Sequence, residues 1–227
     1  MLKKLLNKNK LVASKKVVQK AISDKNLPFL ISFPRTGSHW LRLLMELYFE
    51  KPSIVRSFVY PIKNGFTCYH THDLNLDIKR DNVIYLYRNP VEVIYSQMRY
   101  NKEDINNKKN IDNWSKIYAE HLCKWLIKEG FTKKKVLISY EGMCSKLQDE
   151  FKKICSFFST DFNEEKFNKV SKLVDKDYVK KMTKHDEQVI NRGDDYYRKR
   201  LEFIEKYTDS IMHKVYSEDE KLSNFVF

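Results

Sequence analysis

The sequence predicts a single α/β domain in three layers, a central parallel sheet of four to five strands flanked by helices. Three observations predict it. Short apolar runs rich in β-branched residues alternate with longer amphipathic ones, and strands separated by helices pair in parallel through right-handed crossovers. The 227 residues fit one large domain and leave little room for a second core. The chain is 42% hydrophobic, with 14 Tyr and 14 Phe, enough apolar surface to build that core despite 32% charged residues, which excludes a disordered chain.

Residues 1–26 alternate Lys clusters with Leu, Val and Ile and form a basic N-terminal segment ahead of a main domain over 27–227. Such a segment suits an amphipathic helix that either contacts an acidic membrane peripherally or packs on the domain, and packing is favoured. Its first ten residues lack the apolar centre of a secretion signal, and no apolar run approaches the ~18 residues of a membrane span. Cys68, Cys123, Cys144 and Cys155 show no zinc-ligand spacing. Buried, reduced thiols are expected, which agrees with a cytoplasmic location.

The stretch LPFLISFPRTGSHWLRLLMELYF (27–49) begins with a buried strand over 27–33 and continues as a helix over 40–50, on which Arg42, Glu46 and Glu50 form one polar stripe. A second strand is expected over 65–72 and a third over Asn82–Tyr87, both rich in β-branched and aromatic residues. Asn89 and Pro90 start a helix to about Tyr100, because Asn caps free N–H groups and Pro fits the first turn. The polar 101–110 reads as a loop, 111–128 as helix, 135–140 as a fourth strand and 142–158 as helix. From 172 to 200 the chain is strongly polar, and a last helix is expected between 198 and 216.

In an open α/β sheet ligands sit beyond the carboxyl ends of the strands, which is where FPRTGSHW (33–40) falls. Unpartnered N–H groups at the following helix start favour an anion there. Gly37 permits close backbone approach, Thr36 and Ser38 bring hydroxyls, and Arg35 brings a permanent charge. The excess of 13 cationic residues would gather anionic ligands, although a well-solvated Lys-rich surface explains it equally. The triphosphate-loop pattern GxxxxGK is absent, which disfavours an ordinary kinase.

FPRTGSHW resembles the 5′-phosphosulfate loop of sulfotransferases that use 3′-phosphoadenosine 5′-phosphosulfate (PAPS), a pattern close to PKSGTTW, with Arg in place of Lys. YLYRNPVEVIYSQMRY (85–100) resembles the family's 3′-phosphate motif, an Arg at a strand end and a Ser eight positions later, here Arg88 and Ser96. NWSKIYAEHLCKWL, VLISYEGM and INRGDDYYRKRLEF are similar to the family's central helix, its strand ending in Tyr-Glu-Asp and its C-terminal Arg-Lys-Gly segment. The resemblance implies a P-loop-like sulfotransferase fold, PAPS as donor, adenosine 3′,5′-bisphosphate (PAP) as product and no metal. By it the cofactor contacts are Arg35, Thr36, Gly37, Ser38, His39, Trp40, Arg88, Ser96, Tyr140, Arg192 and Gly193, with Trp40 stacked on adenine and Asn191 standing where the family has Arg.

The same resemblance makes His72, in YHTHDL, the general base and Arg35 the cation that stabilises the leaving phosphate, while His70 replaces a family Lys. A neutral imidazole suits the task, since its ordinary pKa lies near ~6.5. A zinc site from His70, His72 and Asp73 would lack further ligands. The acceptor is expected to be a small molecule, or a glycan or lipid, with a pocket built after Glu50, around 101–114 and after Lys172. Phe58, Tyr60 and Phe66 hint at a ring-bearing acceptor or else belong to the core. A P-loop-like nucleotide kinase, or a protein that binds nucleic acid or acidic membrane through its charge, are the competing readings.

Overall fold

Four strands form one parallel sheet in the order β2-β1-β3-β4: β1 (Phe29–Ser32), β2 (Tyr69–Thr71), β3 (Asn82–Tyr87) and β4 (Lys134–Ser139). The computed structural model describes residues 12–54, 56–62, 65–174, 195–225 and 227. β1 lies between β2 and β3, with Ile31 opposite Thr71 on one side and Tyr85 on the other. The chain thus reverses its direction of travel across the sheet at β1, and the carboxyl ends of β1 and β3 bound a crevice.

Alternation along the strands divides the core into two layers. Phe29, Ile31, Val83 and Tyr85 pack with α3 (Pro90–Tyr100), α4 (Lys108–Leu122) and α8 (Asp195–Glu218). Leu30, Ile84, Leu86 and Ile138 pack with α2 (Ser38–Phe49), α5 (Tyr140–Ser145), α6 (Leu147–Phe157) and α7 (Glu164–Leu173). The helix α1 (Lys15–Ser23) buries Ala21 in a smaller cluster with Leu27 and Ile54, and residues 1–11 lie outside the described set. No helix among the described residues is long and apolar enough to cross a membrane.

Local signals set most helix starts. Asn89 accepts from the N–H groups of Val91 (2.9 Å) and Glu92 (3.3 Å), and Asn163 accepts from Lys166 (2.8 Å). Asn107 caps α4, so that helix begins three residues ahead of the expected start at 111. It gives way to a π-helical turn at Cys123–Ile127, closed by Lys128 N–H on the Cys123 carbonyl. The helix expected over 142–158 is two, α5 and α6, broken at Lys146, whose backbone (φ −139°, ψ 53°) leaves the helical region. The sequence offered no signal that we read for α7.

The expected strand over 65–72 is reduced to three residues. Thr67 N–H bonds to the Pro52 carbonyl and Ile54 N–H to that of Cys68, so 67–68 pairs with 52–54 before the chain joins the sheet. Three cysteines are buried as expected, but Cys144 is exposed, and all four are free thiols. The polar stripe of α2 turns inward: Arg42 is 6% and Glu46 0% exposed. Glu46 accepts from the backbone N–H groups of Ser53, Phe58 and Val59 and from the hydroxyls of Ser53 and Ser57, pinning that segment to the helix.

Candidate active site

The loop 33–37 turns the chain from β1 into α2 with two left-handed residues, Arg35 (φ 71°) and Gly37 (φ 93°). Gly37 occupies the cap position and has no side chain of its own to bond the first N–H groups of α2, so the positive end of the helix dipole is not capped from within the loop. A Cβ at position 37 would lie 2.6 Å from the Tyr140 ring, so the site needs glycine sterically as well. Thr36 does not offer its proton to a ligand, because Oγ1 donates to the Phe33 carbonyl (2.8 Å) and closes the loop.

Arg88, directly after β3, donates from Nη1 to the Arg35 carbonyl (3.1 Å) and lies 4.2 Å over the Tyr140 ring. Arg35 approaches Ser96 Oγ on α3 through Nε (3.4 Å) and lies 5.0 Å over Tyr100. Trp40 meets Tyr140 edge-on, with ring centres 5.9 Å apart. Arg35, Gly37, Ser38, Trp40, Arg88, Ser96 and Tyr140 therefore gather at the crevice. Glu92 holds Arg88 Nη2 at 3.4 Å and is itself gripped by Arg200 of α8 through Nε (2.7 Å) and Nη2. Two buried donors, Trp40 Nε1 and Arg88 Nε, have no hydrogen-bond partner among the described residues. Arg192 and Gly193 lie outside the described residues.

Across β1, His72 follows the end of β2. Its Nδ1 is 2.7 Å from the Ser32 carbonyl, which can only accept, so Nδ1 carries the proton and Nε2 the lone pair. Burial lowers the His72 pKa from its ordinary value, the Ser32 bond opposes this, and the charges of His39, Arg35 and Arg42 add to the lowering. His70 Nε2 is 3.0 Å from Ser32 Oγ, and burial, then Arg42, hold its pKa well below the usual range. The two imidazoles sit edge to face, 4.8 Å apart, and neutral.

A buried network fixes this strand end. His121 of α4 donates from Nε2 to the His72 carbonyl (2.9 Å) and accepts at Nδ1 from the Tyr85 hydroxyl (2.9 Å), and burial drives its pKa down to about 4. Asp73 accepts from Lys124 Nζ (2.7 Å), Trp125 Nε1 (3.0 Å) and Ile78 N–H (3.0 Å). With its carboxylate so engaged, Asp73 does not join His70 and His72 in a metal site, and among the described residues no cluster of His, Cys, Asp or Glu is arranged to hold one.

Comparison with known proteins decides the family. The sulfotransferase domain model matches residues 66–207, more than half of the chain and clear of the 33–40 loop. The chain belongs to the sulfotransferase domain family. No curated protein matches in sequence. Mouse sulfotransferase SULT7A1, solved with PAP, is similar in fold at a TM-score of 0.56 and 17% identity, over 94% of this chain and 95% of that one. Retinol dehydratase, solved with androsterone and inactive cofactor PAP, gives 0.59 at 15% identity, over 86% and 80%. Its complex with retinol and PAP gives 0.55 at 13%, over 91% and 85%.

In this sulfotransferase domain a cavity of about 650 Å³ opens beside His72, walled by His39, Arg42, Ile54, Arg56, His70 and the loop after β2. Ile54 and Arg56, from the segment after Glu50, line this cavity, and 101–114 do not, where Trp114 donates to Glu103 (3.1 Å) and packs on the core. Phe58, Tyr60 and Phe66 belong to the cores, Phe58 as the ring beneath Arg42 (4.7 Å) and His39 (5.4 Å). Arg42, Arg56 and His121 escape a reading by motif. The one available signal was a charged stripe on a helix otherwise too apolar to face water.

Proposed function

We propose that the domain transfers a sulfuryl group from PAPS to a hydroxyl or amine of an acceptor, in line, with His72 as general base. The observation that carries the reading is the pair of cations at one crevice, Arg35 at the turn into α2 and Arg88 at the end of β3, joined by the 3.1 Å bond from Arg88 to the Arg35 carbonyl. A nucleotide with phosphates on both the 3′ and 5′ oxygens needs two such points. Trp40 Nε1 and Arg88 Nε add support, since buried donors without acceptors are costly and a phosphorylated purine nucleoside brings acceptors. The relatives solved with PAP lend the ligand's identity.

On this reading Arg35, Thr36, Gly37, Ser38 and His39 surround the 5′ end, and Arg88 with Ser96 takes the 3′-phosphate. Trp40 stacks on the adenine with Tyr140 beside it, and the family resemblance alone assigns Arg192 and Gly193, which lie outside the described residues, to the 3′-phosphate. The acceptor oxygen bonds to sulfur as the sulfur–oxygen bond to the leaving phosphate breaks, and the acceptor's proton passes to Nε2 of His72. Arg35, which cannot release a proton, and the first N–H groups of α2 meet the charge that grows on the leaving oxygen. The free buried thiols favour a cytoplasmic setting.

Thermal unfolding with added nucleotides tests the donor. PAP is expected to raise Tm more than 5′-AMP or Mg-ATP does, with no need for magnesium. A larger rise with Mg-ATP, as a kinase requires, would overturn the reading.

A further inference from the structure

Two residues of the site follow directly on strand ends, His72 one position after β2 and Arg88 one position after β3. The paired register stops at Thr71 and Tyr87, beyond which the sheet no longer fixes the backbone. One helix meets both. The Tyr118 hydroxyl of α4 accepts from the Arg88 N–H (3.1 Å) and donates to the Arg88 carbonyl (2.9 Å), so a single group spans both backbone polar groups of that residue. Three residues on, and so on the same face of the helix, His121 Nε2 donates to the His72 carbonyl (2.9 Å). A carbonyl can only accept, so His121 keeps its proton on Nε2 and receives the Tyr85 hydroxyl at Nδ1 (2.9 Å).

Tyr118 and His121 are 0% and 1% exposed, and neither walls the cavity beside His72, so they reach the site through its backbone alone. Phe33, the first residue of the loop into α2, packs on both rings, with centres 4.6 Å from Tyr118 and 5.4 Å from His121. The ends of β1, β2 and β3 therefore converge on one pair of side chains. The π-helical turn that follows α4 extends the grip, because Lys124 (2.7 Å) and Trp125 (3.0 Å) bond the same oxygen of Asp73, the residue after His72. These bonds also stabilise the fold, since buried backbone groups left unpaired are costly. What sets them apart is where they end.

We infer that α4 fixes the spacing between the two halves of the site: Tyr118 is a positioning residue for Arg88, and through it for the 3′-phosphate, and His121 is a positioning residue for His72, and through it for proton transfer. This rests on the roles proposed above for Arg88 and His72. A misplacement of about 1 Å between reacting groups can lower a rate by about a hundredfold, so a bond to the backbone acts on the reaction without touching substrate.

Nitrogen NMR on protein with labelled imidazoles, free of nucleotide and near neutral pH, reads the His72 tautomer, whose proton the Ser32 carbonyl holds on Nδ1. Wild type should show that tautomer alone. His121→Phe should show a mixture, and His121→Gln, which returns an N–H to the His72 carbonyl, should restore the single form. Calorimetry reads the other arm: Tyr118→Phe should weaken PAP by roughly three- to tenfold and 5′-AMP by less than twofold, with the His72 tautomer unchanged. His121→Phe should leave the ratio of PAP to 5′-AMP affinity within twofold of wild type. A role in folding alone would lower Tm in both Phe variants and move neither readout. A proton on Nε2 of His72 in wild type, an unchanged tautomer in His121→Phe, a Gln variant no better than Phe, or equal effects on the two nucleotides in Tyr118→Phe would each overturn the inference. Should a Phe variant not fold, the wild-type tautomer, His121→Gln and amide exchange at Arg88 decide instead, and an Arg88 amide that exchanges as fast as in an unfolded chain would overturn the Tyr118 bond. Wild-type protein that fails to bind PAP would count against the donor reading, while the tautomer, measured without nucleotide, still decides the role of His121.

Discussion

Replacing Gly37 by Ala tests the geometry of the loop with an internal control. At φ 93° any L residue carries a backbone cost of about 1–2 kcal/mol. The new Cβ would also stand 2.6 Å from Cδ2 and Cε2 of Tyr140, a ring that carries Arg88 at 4.2 Å on its face and Trp40 at 5.9 Å on its edge. Displacing packed side chains costs about 1–3 kcal/mol, so Gly37→Ala should destabilise by about 3 kcal/mol in total. For a domain of this size that is a Tm lower by roughly 6–12 °C. Gly130 has nearly the same backbone (φ 84°) but nothing within 4 Å of its added Cβ, so Gly130→Ala should show the backbone cost alone. Differential scanning calorimetry gives both numbers. PAP titration should show at least a tenfold loss of affinity in Gly37→Ala and none in Gly130→Ala. Equal destabilisation of the two variants, with PAP affinity intact in both, would refute the claim that position 37 is closed by Tyr140 and belongs to the donor site.

His72→Ala should abolish turnover with PAP affinity within about twofold of wild type; and because burial lowers the His72 pKa, the acid limb of the wild-type rate should fall below pH 6.5, so a limb at or above that value would argue for another base. His121 has a folded pKa of about 4 against about 6.5 unfolded, so the unfolded chain takes up the proton first as pH falls. Its contribution is complete above pH 6.5 and is lost down to about pH 4, about 3 kcal/mol in all. Urea midpoints at pH 7.5 and 4.5 should therefore differ more in wild type than in His121→Gln, and identical differences would contradict the assignment. Asp73→Asn leaves Lys124 buried without its counter-charge, a loss of about 3–5 kcal/mol that thermal unfolding would register as well over 5 °C. A variant within 2 °C of wild type would show that the pair is dispensable.

Where local chemistry decides, the sequence was legible to the residue. Asn89 and Pro90 set the start of α3, and Asn82–Tyr87 was read with both ends in place, because capping and β-branched composition act within a few positions. The family motifs likewise pointed to Arg35, Arg88, Ser96 and Tyr140, side chains that the fold brings to one crevice from separate segments of the chain. Periodicity, in contrast, reports which residues share a helix face but not what that face meets. Arg42 and Glu46 were legible as a stripe, yet only the return of 53–59 onto α2 buries that stripe and sets Arg42 in the wall of a cavity. His121 and Tyr85 were illegible as partners because their 36-residue separation is closed by tertiary packing. The short β2 has the same origin, since the partner that captures 67–68 is the irregular 52–54 segment.

The most direct measurement of the central claim, that two cationic points hold a doubly phosphorylated adenosine, is a calorimetric cycle on Arg88. PAP and 5′-AMP differ by the 3′-phosphate alone, and a charge-assisted hydrogen bond to it is worth about 1.5–3 kcal/mol, or roughly 10- to 150-fold in affinity. Arg88→Ala should cost PAP that factor while changing 5′-AMP by less than threefold. Equal losses for the two nucleotides, or wild-type protein that binds PAP no more tightly than 5′-AMP, would contradict it.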